Sequence, residues 1–183
     1  WWGPRKWKRL TARLEPWILP AFEDLRRLLL ECHAQIGALT KQLVDSMCGQ
    51  RLPKGLGALT MAVLDGEVCD WHRFKNRKGP GSYTGCCPSE HSSGSSQRYG
   101  NIDRHGNSRL RRQLVEAVWR LLRWNPTWHA ALKLRKRLGD SVAQKKKAVV
   151  ALARQLAIDL WRWRTGRCEL EALGFITADV TAA

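Results

Sequence analysis

Phe22, Leu25, Leu29, Cys32, Ile36, Leu39 and Leu43 recur in alternating steps of three and four. That 3.5-residue period over three heptads predicts a helix across 20–48, with a narrow apolar seam suited to another helix alongside it. Pro20 suits a first helical position, Glu23 and Asp24 follow in the first turn, and Cys48-Gly49 closes the element. The seam is open to two uses: self-association, or packing against the rest of the chain. A second periodic face joins Leu110, Leu114, Ala117, Val118, Leu121 and Leu122, in a helix that Asn107 can cap directly after Gly106. A third joins Ala148, Val149, Leu152, Leu156, Leu160 and Trp163, with Ser141 as the expected cap. Between these two lies a short basic helix from about 128 to 138, stopped by Gly139.

No segment alternates with a period of two, so the expected fold is mainly α: a long heptad-patterned helix, then a compact helical domain. Residues 1–19 read as a basic N-terminal remnant or linker, in which Gly3-Pro4 should break any early helix. Residues 20–48 form the coiled-coil-type helix, 50–175 the helical domain, and 176–183 a frayed tail. The stretch Lys54-Gly55-Leu56-Gly57 reads as a tight glycine turn entering a helix. It is either a plain turn or a helix-hairpin-helix-like one, whose backbone N–H groups can hold a phosphate. Gly79-Pro80-Gly81 is expected to interrupt any helix.

The stretch 88–107 fits neither period and is expected to be a loop. It is rich in Ser and Gly, from Pro88-Ser89-Glu90-His91-Ser92-Ser93-Gly94 onwards, with Gly100 and Gly106 further along. Composition alone allows a solvated linker. What alters that reading is the charge around it. The chain of 183 residues carries 32 Lys+Arg against 16 Asp+Glu, a formal +16. From 104 to 137 there are ten bases and one acid, Glu116, whereas residues 15–49 hold three bases and five acids. Cations concentrated in this way favour a polyphosphate partner, because counterions are released when they bind. Arg98, Arg104, Arg109, Arg111 and Arg112 flank the loop, and Lys145, Lys146 and Lys147 crowd the first turns of the last helix, where the dipole disfavours cations unless an anion is bound.

Six cysteines form no C-x-x-C pair, which argues against a zinc ribbon or finger. With no signal peptide and no apolar run of membrane-spanning length, the expected compartment is a reducing cytosol. Carboxylates are too scattered for a two-metal site, so no metal ligand is assigned to this chain. A serine among arginines remains. Its attack on phosphorus needs a base, for which His91 or His105 is the candidate, and cations for the developing charge.

Several ordered motifs then converge. Gly81-Ser82-Tyr83-Thr84-Gly85, Pro88-Ser89-Glu90-His91-Ser92-Ser93-Gly94, Ile102-x-Arg104-His105-Gly106-Asn107, Leu110-Arg111-x-x-Leu114-x-Glu116-Ala117 and the run 146–154 resemble the C-terminal domain of insertion-sequence transposases of the IS-one-ten family, in its IS-eleven-eleven/IS-one-sixteen branch. The similarity covers about residues 50–175, with 20–48 matching the family's coiled coil. It implies a nucleophilic serine at Ser93, with Ser92 the near alternative, forming a covalent 5′-phosphoserine link to DNA. It also implies a partner RNase H-like domain that binds Mg2+, a guide (bridge) RNA, and a homo-oligomer joined through 20–48. The acidic metal-binding set is not in this chain, so the chain alone is expected to be inactive. By the same resemblance Arg104, Arg109 and Arg112 are phosphate contacts in a bacterial cytoplasmic protein that joins the nucleoid on binding DNA. Two departures from the family pattern are Cys86, where an apolar residue is usual, and Gly79-Pro80-Gly81.

Overall fold

The computed structural model describes residues 3–90, 93, 96, 98–135 and 142–180. Their order is α1 (Pro4–Thr11), α2 (Leu19–Asp45), β1 (Arg51–Pro53), α3 (Ala58–Val68), a 3-10 turn (Trp71–Arg73), α4 (Lys78–Tyr83), β2 (Pro88–Glu90), β3 (Tyr99–Ile102), α5 (Ser108–Trp124), α6 (His129–Arg135), α7 (Val142–Arg164), a 3-10 turn (Glu171–Leu173) and β4 (Thr177–Asp179). The molecule is mainly α-helical, as its apolar periods predict.

The core lies where α5 crosses α7 and α3 closes over them. Leu64, Leu114, Val118, Leu121, Leu156, Leu160 and Trp128 are fully buried there. The inward face of α5 is the one its spacing predicts: Leu110, Leu114, Ala117, Val118 and Leu121. Trp128 stacks on Phe175 and gives its indole N–H to buried Asp159 at 3.0 Å.

Several local expectations are corrected. Gly3-Pro4 begins α1 rather than breaking it, because proline at the first helical position gives up only an N–H that would lack a partner anyway. Gly79-Pro80-Gly81 is likewise helical. Asn76 caps the start of α4 through Lys78 N–H at 2.9 Å, and Pro80 again falls in a first turn. Gly81 is then pressed against Arg154 and Ile158 of α7, where a larger residue would push the helices apart. Strands also exist, too short to show a period. Thr177–Asp179, within the stretch read as a frayed tail, pairs antiparallel with Arg51–Pro53. Fully buried Asn125 seals that join: its amide donates to Lys54 O and accepts Ile176 N–H at 2.8 Å.

Helix α2 stands apart from this core. None of its residues is buried, and Leu25, Leu28, Ile36 and Leu39 are each more than half exposed. The heptad stripe is thus uncovered over most of its length, and only the junction that ends in buried Met47 meets α3. The expected cap Ser141, the helix end near 138 and Gly139 lie outside the described residues, as do His91, Ser92 and Gly94.

Candidate nucleic-acid interface

Within the stretch 88–107, expected to be a loop, the described residues include two short paired strands that form a β-hairpin. β2 pairs antiparallel with β3, Pro88 opposite Ile102 and Glu90 opposite Tyr99, with an irregular register between them. Farther out, Ser93 and Ser96 exchange both backbone hydrogen bonds, at 3.2 and 3.1 Å. The period-two signal is missing because neither face of the hairpin packs on the core. Pro88, Glu90, Ser93, Ser96, Arg98, Gly100 and Asn101 are all exposed, so nothing selects apolar residues at alternate positions.

Its foot is fixed by backbone contacts that a sequence pattern does not register. Asp103 N–H donates to Cys87 O at 2.8 Å, Arg104 N–H to Gly85 O at 3.1 Å, and Asn107 N–H to Tyr83 O at 2.8 Å. Gly85 (φ +64°) and Gly106 meet backbone to backbone, and a Cβ on Gly106 would run into Gly85 and Tyr83. The hydroxyl of fully buried Thr84 donates to Gly81 O at 2.7 Å and accepts Cys86 N–H at 3.1 Å. Burial pushes the Cys86 thiol pKa above its ordinary value, and the side chain serves as a small apolar filler.

Asn107 joins three elements. Its carbonyl caps α5 by accepting Leu110 N–H at 2.9 Å, while its amide donates to Glu67 Oε2 of α3 at 2.8 Å and lies 3.3 Å from the Tyr83 hydroxyl. Glu67 Oε1 also faces the Arg109 guanidinium at 3.7 Å. Arg111, one of the loop's flanking arginines in the sequence, points inward and donates to Thr84 O at 3.0 Å. Arg104 is held in the left-handed region at φ +64°, uncommon for a residue with a side chain. Next to it Asp103 accepts the backbone N–H of His105 at 3.1 Å and pairs with its imidazole. His105 stands at the foot of the hairpin, and Ser93 lies farther out along it.

The other sequence candidates lie elsewhere along α5, a helix about 25 Å long at 1.5 Å per residue. Arg109 and Arg112 project from its first turns beside the hairpin foot, both exposed. The Lys54 turn sits at its far end: Lys54 Nζ lies 5.2 Å from the Trp124 ring centroid, and Gly55 (φ +90°) is pressed against that ring. Two of this turn's amides are already engaged, Lys54 N–H with Ile176 O and Leu56 N–H with Pro53 O. Gly57 is the N-cap of α3 and offers no side-chain cap. Lys145 shares an apolar groove with Trp119 and Leu122 of α5, and Lys146 is exposed beside it. Arg104, Arg109 and Arg112 thus lie at the hairpin foot and the start of α5, and Arg98 lies farther out beside Tyr99, whereas Lys54, Lys145 and Lys146 belong to other parts of the surface. Sequence reasoning gave no role of their own to Glu67, Tyr83 and Thr84; Glu67 bonds Tyr83 across 16 residues and Asn107 across 40.

Among the described residues no group of three or more His, Cys, Asp or Glu could hold a metal ion, and no helix is long and apolar enough to cross a membrane.

Residues 52–133 match the family model described as the transposase IS116/IS110/IS902 family. That stretch begins at β1 and ends in α6, enclosing the hairpin and α5. The chain is 38% identical over 114 residues to a putative transposase, y4rJ, of Sinorhizobium fredii, covering 60% of this chain and 28% of that protein. It is 29% identical over 161 residues to a probable family 20 transposase of Pseudomonas aeruginosa, covering 80% and 47%. It is 30% identical over 124 residues to the transposase for insertion sequence element IS1328 of Yersinia enterocolitica, covering 61% and 36%. The chain is thus distantly related to the IS110/IS116/IS902 transposases, and it spans between 28% and 47% of the length of these relatives.

Proposed function

We propose that this chain is the serine-bearing part of a DNA transposase: it holds DNA across the hairpin foot and the start of α5, and Ser93 is the nucleophile. The observation that carries the reading is an exposed Ser93 on a hairpin whose foot is held by three backbone hydrogen bonds and bordered by exposed Arg104, Arg109 and Arg112, inside the stretch that matches transposases. Arg98, Arg104, Arg109 and Arg112 take phosphates, and the Gly85–Gly106 contact holds the hairpin in one orientation so that capture of the strand needs little reordering. In the step itself Ser93 Oγ gives up its proton and bonds to phosphorus. The bond from phosphorus to the 3′-oxygen breaks, leaving a 3′-hydroxyl and a 5′-phosphoserine. The base for that proton is not assigned to this chain, and Mg2+ belongs to an RNase H-like partner domain. A guide RNA is proposed as a further partner from the resemblance alone. The uncovered heptad stripe of α2 is proposed to pair two copies, since half-exposed leucines gain from burial against a matching seam.

The test supplies this chain with the RNase H-like part of a relative, guide RNA and DNA containing the element's end, then looks for a protein–DNA adduct that survives denaturation. The Ser93→Ala chain should form none. An adduct of undiminished yield in both Ser93→Ala and Ser92→Ala refutes the serine assignment.

A second reading, a non-catalytic helical nucleic-acid-binding module, rests on the exposed arginines of the hairpin and α5, which need no chemistry to hold phosphates. It predicts salt-sensitive DNA binding with no adduct under any condition.

A further inference from the structure

A cleft of about 690 Å3 opens between α6, α7 and the 171–173 turn, away from the hairpin. Leu134, Leu152 and Leu173 are among its apolar walls, and Gln155 and Asp159 stand in it. Asp159 is almost wholly buried, with Trp128 Nε1–H on one oxygen and Gln155 Nε2–H on the other, at 3.0 and 2.8 Å. Around the mouth stand Arg77, His129, Lys133 and Arg162, all exposed, and none forms an ion pair among the described residues.

These features select a ligand. Three permanent cations and a titratable imidazole around one opening attract an anion with more than one charge, spaced across the mouth. Polar and apolar groups line the cleft about equally; Leu134, Leu152 and Leu173 give it one apolar wall on which a flat ring can lie, and its volume falls within the roughly 300–1,000 Å3 typical of small-molecule sites. Because Gln155 uses one N–H on Asp159, its carbonyl and second N–H remain to pair with the edge of such a ring. A phosphate chain that carries rings meets both demands when a ring is unpaired. A duplex keeps its bases inside and would touch the rim alone.

We propose that this cleft seats one unpaired nucleotide of a single-stranded polynucleotide, with the base inside over Gln155 and the flanking phosphates on Arg77, Lys133 and Arg162. The imidazole of His129 lies against the entering sugar or base. This site is separate from the proposed DNA contact at the hairpin foot and does not depend on Ser93 chemistry.

The test measures anisotropy of fluorescein-labelled 12-nucleotide oligo(dT), oligo(rU) and a 12-base-pair duplex with the whole chain. Lys133→Glu/Arg162→Glu should weaken both single strands at least tenfold. Removing two phosphate contacts should lower the salt slope of log K by about 1.4. Ala151→Trp, at an exposed position on the cleft wall, fills the cleft without changing charge. It should weaken single strands at least fivefold and leave the duplex unchanged. Arg109→Glu/Arg112→Glu should do the reverse, weakening the duplex more than the single strands. Comparing the two single strands distinguishes DNA from RNA as the occupant: a preference of tenfold or more assigns it, and equal affinity assigns a site that accepts either. The proposal is overturned if Ala151→Trp leaves single-strand affinity unchanged, or weakens the duplex equally. Far-UV circular dichroism of each variant must match the wild type; if Ala151→Trp does not fold, Ala151→Phe takes its place under the same criteria.

Discussion

Replacing Asn107 separates its two roles. As the N-cap of α5 it needs only an acceptor, which aspartate also supplies; as the tie to Glu67 it needs a donor, which aspartate lacks. Loss of the cap in Asn107→Ala costs about 1 kcal/mol. Loss of a hydrogen bond to a carboxylate ranges over roughly 1.5–3 kcal/mol, and partial exposure of Glu67 brings this to about 1. Asn107→Ala should therefore lose about 2 kcal/mol. Asn107→Asp keeps the cap and gains about 0.3–1 kcal/mol from the helix dipole. It also loses the donor and sets two carboxylates side by side, a repulsion of up to about 4 kcal/mol at 4 Å near a surface, which relaxation and water reduce to about 1–2. The net loss is again about 2 kcal/mol, or roughly 1 M in urea midpoint for m near 2 kcal/mol/M. Glu67→Gln restores a donor, so Asn107→Asp/Glu67→Gln should recover to within about 1 kcal/mol of the wild type. Urea melts followed by circular dichroism at pH 7 measure all three. An Asn107→Asp chain as stable as the wild type would refute the tie between α3 and the hairpin foot.

Three further outcomes are expected. Arg104→Gly relieves the left-handed backbone, worth about 1 kcal/mol after the entropy of glycine, and so should raise the urea midpoint while weakening duplex DNA binding; a loss on both measures contradicts it. Burial raises the Asp159 carboxyl above its usual 3.8, so the unfolded chain releases this proton first and wild-type stability falls as pH climbs past that value. Asp159→Asn lacks this titration, so the wild-type advantage over it should shrink between pH 4 and 7 in paired urea melts, and an advantage that grows with pH refutes the sign. Sedimentation equilibrium should show a concentration-dependent dimer that Ile36→Lys/Leu39→Lys converts to monomer; a wild-type monomer throughout removes the pairing role of α2.

How much of this was legible differs by element, for physical reasons. α2, α5 and α7 are long enough that several turns repeat the same burial, and their apolar periods mark them. β1, β2, β3 and β4 have three or four residues each and are held by backbone bonds, so side-chain pattern carries little of their information. Of the candidate site, Asn107 as a cap followed from its type and place, and the arginine cluster followed from composition. Arg111 could not be separated from its neighbours by sequence, because its inward direction depends on Thr84 O, 27 residues away. Glu67 is not marked by sequence, since nothing local announces a partner 40 residues on. The hairpin was read as a loop because both its faces meet solvent. Its foot is nevertheless held by three backbone hydrogen bonds and by the contact of Gly85 with Gly106; Gly106 can be assigned to loop geometry by its type, whereas its contact with Gly85 depends on the fold.

The most direct trial of the account is to map the covalent DNA adduct, formed with the RNase H-like part of a relative, by peptide mass spectrometry. The account predicts a phosphodeoxynucleotide mass on Ser93 Oγ, lost in Ser93→Ala while duplex affinity stays within about twofold. A mass on any residue outside the hairpin, or an unchanged yield from the Ser93→Ala chain, would contradict it.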